Sequence, residues 1–225
     1  MEDRMNPQIP FGIAEKVGEE KKNAYTLYWD FVVDGTASMA SLYPAVYFAA
    51  GRFLDWMKRF DLSPMLGLTV IRSIPEEPAE KIEMEPGSFY TEDGALFLKK
   101  LKYLALYGGS DDGEESVEEA LLVSLQKFPQ NSLNRGIMVF TDSYHCSHHV
   151  SLKAYPVGAV TFFCPQSMFL DEFDFSFQTS EGEIDEEGSP AYMDITSLFQ
   201  ELGSEYLDNV VKPFKDLIKG VSIGV

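Results

Sequence analysis

Leu27-Tyr-Trp-Asp-Phe-Val-Val33 is a nearly continuous apolar run of strand length that stops on a carboxylate, Asp34. Such a run has the pattern of a parallel strand buried on both faces, so it belongs at the centre of a sheet. Gly35, Thr36, Ala37 and Ser38 follow at once, with hydroxyls at alternate positions. One turn can therefore aim the oxygens of Asp34, Thr36 and Ser38 at a single point. Oxygen donors of this kind suit a hard cation such as Mg²⁺, which takes ligands at about 2.0–2.1 Å and usually keeps some waters. The same three residue types also cap helices well, so the turn reads as a strand-to-helix connection too.

The rest of the chain alternates between strand and helix patterns. Met39 to Phe60 carries apolar residues at helical spacing, and Pro44 fits there only in the first turn. Met65 to Ile71 returns to a strand, and Lys81 to Glu85 alternates like a short edge strand. Asp93 to Tyr107 is predicted helical, ending at Gly108-Gly109. Glu114 to Lys127 is a second helix with acids in its first turns, where the helix dipole favours them. Ile137 to Thr141 is a buried strand closed by Asp142, and Val157 to Phe163 is another. Phe173, Phe175 and Phe177 alternate as in a strand or hairpin, before an acidic loop at 181–187. Tyr192 to Thr196 reads as a last short strand and Ser204 to Lys219 as a closing amphipathic helix broken at Pro213. This order implies an α/β fold: a doubly wound, mostly parallel central sheet with helices on both faces and one short antiparallel edge strand. Residues 1–225 form one expected domain. In such sheets ligands sit beyond the carboxyl ends of the strands, where strand order reverses. Asp34 to Ser38 and Asp142-Ser143 both follow strands, and Ser110 to Asp112 lies between two helices.

Charge narrows the partners. The chain holds 36 acidic and 18 basic side chains, a formal net charge of −18. That argues against nucleic acid and against anionic membrane surfaces, and favours divalent cations or a basic partner surface. With Cys146 and Cys164 alone, no disulfide framework is expected. Met1 to Pro10 lacks the features of a signal peptide, and no run approaches the roughly 20 apolar residues of a membrane span. A cytoplasmic protein is the expectation.

Taken together, these segments resemble a von Willebrand factor type A-like domain over roughly 25–219. That family's metal-ion-dependent adhesion site combines Asp-x-Ser-x-Ser after the first strand, a Thr or acid in a later loop, and an Asp after the fourth strand. Asp34-Gly-Thr36-Ala-Ser38 matches the first element with Thr for the first Ser. Gly108-Gly-Ser-Asp111-Asp-Gly-Glu114 resembles a variant of the second, and Ile137-Met-Val-Phe-Thr-Asp142 resembles the third. Ser110, Asp111 and Asp112 all offer oxygens in the second loop, and the motif match favours Asp111. The resemblance implies a Mg²⁺ site (or Mn²⁺ or Ca²⁺) held by Asp34, Thr36, Ser38, Asp111 and Asp142. An acid at 111, where many members have Thr, leaves the cation neutralised or over-neutralised and weakens its pull on an incoming carboxylate.

Two other chemistries find partial matches in the residues. Haloacid dehalogenase-like phosphohydrolases read Asp-x-Asp-Gly-Thr and use the first Asp as nucleophile; here Val32 stands at that position, so the chemistry fails. Asp142-Ser-Tyr-His145-Cys146-Ser-His148-His149 gathers all three histidines. Ligands packed so tightly rarely close a zinc tetrahedron, and an exposed loop beside the metal site is the better reading. The expected function is metal-dependent protein–protein interaction, with a partner's acidic side chain or carbonyl at the open coordination position. The resemblance implies an intracellular subunit or adaptor of a larger assembly. Catalysis is not expected; the alternatives are a metal-dependent hydrolase or a structural subunit with a vestigial site.

Overall fold

The computed structural model describes residues 26–74, 77–109, 116–130, 132, 134–142, 159–164 and 191–195. Its centre is strand β1 (Leu27–Asp34), where Phe31, Val32, Val33 and Asp34 are all fully buried. A 3₁₀ turn at Ser38–Ser41 leads into helix α1 (Tyr43–Arg59). Pro44 sits in the first turn of α1, as its missing N–H requires. Strands β2 (Met65–Ile74), β3 (Glu77–Lys81) and β4 (Tyr90–Thr91) precede helix α2 (Gly94–Lys102). Helix α3 (Val117–Lys127) is followed by β5 (Asn134–Phe140), β6 (Ala159–Cys164) and β7 (Ala191–Asp194).

These strands form one α/β sheet in the order β3-β2-β1-β5-β6-β7, with β4 also on β2. The pairs β1–β2, β1–β5, β5–β6 and β6–β7 are parallel; β3 and β4 run antiparallel to β2. Among the described residues the sheet thus has two antiparallel members where one was expected. The register places Val33 of β1 opposite Val70 of β2 and Phe140 of β5. Strand order reverses at β1, so the carboxyl ends of β1 and β5 open at one place.

Alternation along β1 sends its side chains into two cores. Phe31 and Val33 join Val46, Phe53 and Met57 of α1 and Phe97 and Leu101 of α2. Val32 joins Ile71, Ile137 and Val139 with Leu121 and Leu125 of α3. Each such aliphatic or aromatic side chain, fully buried, contributes about 1.5–3 kcal/mol. The Tyr43 hydroxyl donates to the Leu101 carbonyl at 2.7 Å and ties the start of α1 to the end of α2.

Two expected elements fall elsewhere. The edge strand is Glu77–Lys81 rather than Lys81–Glu85. Pro78 is tolerated there because an edge strand leaves one row of N–H groups unpaired. Helix α2 stops at Lys102, five residues before the expected end at Tyr107. Its continuation bonds elsewhere: the Ala105 carbonyl accepts from Arg72 Nη1 at 2.8 Å and the Tyr107 N–H donates to the Gly35 carbonyl at 2.9 Å. The segments at 168–190 and 204–219 lie outside the described residues. No described helix is long and apolar enough to cross a membrane.

The apolar reading of β1 overlooked Asp30, which is fully buried. Lys81 Nζ donates to Asp30 Oδ1 at 2.5 Å and the Thr69 hydroxyl to Oδ2 at 2.6 Å. A Cβ on Gly67 would fall 2.7 Å from Asp30 Oδ1 and 2.8 Å from Lys81 Nζ, so only glycine leaves room for this pair. Lys81→Met should therefore leave a buried carboxylate held by Thr69 alone, without its counter-ion, and cost roughly 3–5 kcal/mol in urea unfolding. Combining it with Asp30→Asn should recover most of that loss. Equal stability of the single and double variants would show that the ion pair does not hold this edge.

Candidate metal centre

Asp34 closes β1 at the point where the chain must turn, and the turn folds back onto it. The Thr36 N–H donates to Asp34 Oδ1 at 2.9 Å, and the Thr36 hydroxyl lies 2.6 Å from the same oxygen. Thr36 Oγ1 lies 3.0 Å from Ser38 Oγ, and Ser38 Oγ lies 3.0 Å from Asp142 Oδ1. From the other side the Thr141 hydroxyl donates to Asp34 Oδ2 at 2.9 Å. The β1–β5 register brings this about: Phe140 is level with Val33, so Thr141 and Asp142 emerge beside Asp34.

The turn is anchored to its neighbours. The Gly35 N–H donates to the Ile71 carbonyl at 3.0 Å and the Ala37 N–H to the Gly108 carbonyl at 3.4 Å. A Cβ on Gly35 would lie 2.5 Å from Val70 Cγ1 and 2.8 Å from Arg72 Nη1. Gly108 has φ +80°, a left-handed conformation that L side chains resist, and a Cβ there would meet the Arg72 carbonyl at 2.8 Å. Asp34 and Thr36 are buried, Asp142 is half-buried and Ser38 is exposed, so the oxygen row runs from the interior to solvent.

The row is short of one proton. Three oxygen–oxygen contacts link Asp34, Thr36, Ser38 and Asp142. The two hydroxyls bring one proton each, and an ionised carboxylate brings none. With both carboxyls ionised, Thr36 donates to Asp34 and Ser38 to Asp142, and the two hydroxyl oxygens face each other with no proton between them, an arrangement that a retained carboxyl proton or a cation would relieve. The electrostatics agree. Burial pushes the Asp34 carboxyl up to about 6 from its ordinary 3.8. Its hydrogen bonds from Thr36 and Thr141 pull it down, and the Asp142 charge pushes it up. Burial likewise raises Asp142, against the Ser38 hydrogen bond.

Of the five expected ligands, Asp34, Thr36, Ser38 and Asp142 meet here. Asp111 lies outside the described residues, with Ser110 and Asp112. The stretch that leads to them, Tyr107 to Gly108, is bonded to the turn. His145, Cys146, His148 and His149 also lie outside. Among the described residues no three acidic, His or Cys side chains converge, so the donor set here is two carboxylates and hydroxyls. Thr141 was missed from sequence, although a hydroxyl directly before Asp142 at the end of a buried strand was a usable signal. Val32, the position a phosphohydrolase nucleophile would need, is buried in the second core. No protein-family model matches the chain, and no curated protein matches it in sequence.

A carboxyl raised on folding destabilises the native state once both states are ionised, and that penalty lifts as the native state takes up its proton. The gap between about 6 and 3.8 is worth roughly 3 kcal/mol. In chelator, the stability of the chain relative to Asp34→Asn should therefore rise as pH falls through about 6, levelling below the unfolded carboxyl range. Denaturant titrations of both proteins from about pH 8 to about pH 4 check this. Parallel curves would show that Asp34 is not perturbed.

Proposed function

We propose that this chain is a von Willebrand factor type A-like domain whose Asp34, Thr36, Ser38 and Asp142 hold a divalent cation, with Asp111 as a further ligand. The fold reading that goes with it is a single doubly wound domain, its parallel sheet covered by helices on both faces. The proton-short oxygen row carries the proposal. A buried carboxylate whose neighbouring charge is a second carboxylate is relieved by a proton or by a cation, and hydroxyls and carboxylates suit a hard ion. Mg²⁺ suits that set, as do Mn²⁺ and Ca²⁺.

Such an ion supplies a Lewis-acidic position for an oxygen ligand from another molecule. Asp34, fixed by Thr36 and Thr141, supplies buried negative charge; Ser38 and Asp142 border the side open to solvent. A partner's acidic side chain or backbone carbonyl fits that side. The function that follows is metal-dependent protein–protein interaction, as an intracellular subunit or adaptor of a larger assembly.

Mg²⁺ or Mn²⁺ at about a hundred times its Kd should stabilise the chain by about 2.7 kcal/mol over chelator. Asp34→Ala should abolish the gain. The gain should also shrink as pH drops below about 6, because the proton on Asp34 competes with the ion. Melting curves in metal and in chelator read all of this. Identical curves sink the metal site; a partner retained equally from native lysate in both conditions sinks the metal bridge.

A further inference from the structure

The chain carries a cationic cleft beside this site. Arg72, Leu96, Lys99, Lys100, Tyr103 and Leu104 line an open cleft of about 460 Å³, within the range of ligand-binding pockets. Lys99 and Lys100 are exposed and form no ion pair among the described residues. Tyr103 is 62% exposed, a large apolar surface at the mouth. The acid at the cleft, Glu80, is engaged by Arg72 Nε and Nη2 at 3.2 and 2.9 Å. On a chain of net charge −18, this concentration of unspent positive charge over apolar walls is a local exception.

We propose that this cleft binds an acidic peptide segment of a protein partner, with Lys99 and Lys100 pairing its carboxylates and Leu96, Leu104 and Tyr103 packing an apolar side chain. Arg72 joins the cleft to the metal centre. Its guanidinium lies 4.3 Å over the Tyr107 ring, and the Tyr107 N–H holds the Gly35 carbonyl at 2.9 Å. One extended segment can place a carboxylate at the open side of the Ser38 turn and cross Tyr107 into the cleft. That continuity rests on the metal-bridged reading; the cleft itself does not. It also answers a deficit of that reading. A cation neutralised by its acidic ligands attracts a carboxylate weakly, and nearby lysines restore the pull and guide encounter.

Fluorescence anisotropy tests this with a fluorescein-labelled peptide of about ten residues, rich in Glu around one Leu, and its Gln counterpart. The chain should bind the Glu peptide. The paired substitution K99E/K100E should weaken that binding at least about tenfold and K99A/K100A less, with K99A/K100A melting close to the parent and K99E/K100E somewhat lower because both charges sit in the last turn of α2, so binding is compared well below either melting temperature. The Gln peptide should bind as weakly as the Glu peptide binds K99E/K100E. If chelator weakens binding further, cleft and metal act together and both readings stand. If chelator changes nothing while K99E/K100E still does, the cleft stands and the metal bridge falls. Failure of the chain to bind the Glu peptide, indifference to K99E/K100E, or tighter binding of a single-stranded oligonucleotide overturns the cleft as an acidic-peptide site.

Discussion

Two carboxylates on one buried strand dictate most of what surrounds them. Asp30 and Asp34 stand four residues apart on β1, hence on the same face, and both are fully buried. Burying an ionised group without compensation is prohibitive, so each must find its own solution. Asp30 finds one inside the chain. Lys81 arrives on β3, in register with Thr69, and both side chains bond the carboxylate. Asp34 is met by hydroxyls and one N–H, with Asp142 as its charged neighbour. One carboxylate is balanced by an ammonium; the other, among the described residues, is bonded by neutral donors that lead outward to Ser38.

Strand register turns that difference into a site. Parallel pairing of β1 with β5 brings Thr141 and Asp142 to Asp34 without any long loop having to be ordered for it. Parallel pairing with β2 brings Ile71 and Arg72 against Gly35, where a side chain would collide with Val70. The turn is therefore built on the rigid end of a sheet, which suits a constellation of oxygens whose spacing decides what they bind. A bulge between Ile71 and Ile74 redirects β2 there, with Ser73 at φ +51° and its hydroxyl accepting from the Ser116 N–H at the start of α3. That irregularity at the strand end is where β2, the Ala105–Tyr107 segment and α3 come together.

How much of this was legible in sequence depended on how local its cause was. The run 27–34, the helix from Tyr43 and the strand before Thr141 follow from periodicity and from Pro44, all short-range signals. The pairing of Asp34 with Thr36 and Ser38 was legible for the same reason, because one turn makes it. Helix α2 shows the limit. Tyr103 to Tyr107 continue its pattern, but Arg72 takes the Ala105 carbonyl and Gly35 takes the Tyr107 N–H, and those long-range bonds outweigh a few tenths of a kcal/mol of propensity. Asp30 was the clearest missed signal. A single acid in an otherwise apolar strand demands a cation, yet nothing near it in sequence says that Lys81 supplies it.

Arg72 stands beside the turn that follows Asp34, yet its hydrogen bonds among the described residues go elsewhere. Its Nη1 lies close enough to Gly35 to exclude a Cβ there, so a guanidinium stands within a residue of the buried carboxylate. Three of its five N–H donors, however, are directed elsewhere. Nε and Nη2 go to Glu80, Nη1 goes to the Ala105 carbonyl, and the guanidinium rests on the Tyr107 ring. Glu80 thus draws the nearby positive charge toward β3. Had that guanidinium turned to Asp34, the pair would have resembled Asp30 with Lys81. Among the described residues Asp30 is bonded by an ammonium and Asp34 by hydroxyls and an N–H alone, and the hydroxyls of Asp34 are the ones that lead out to solvent.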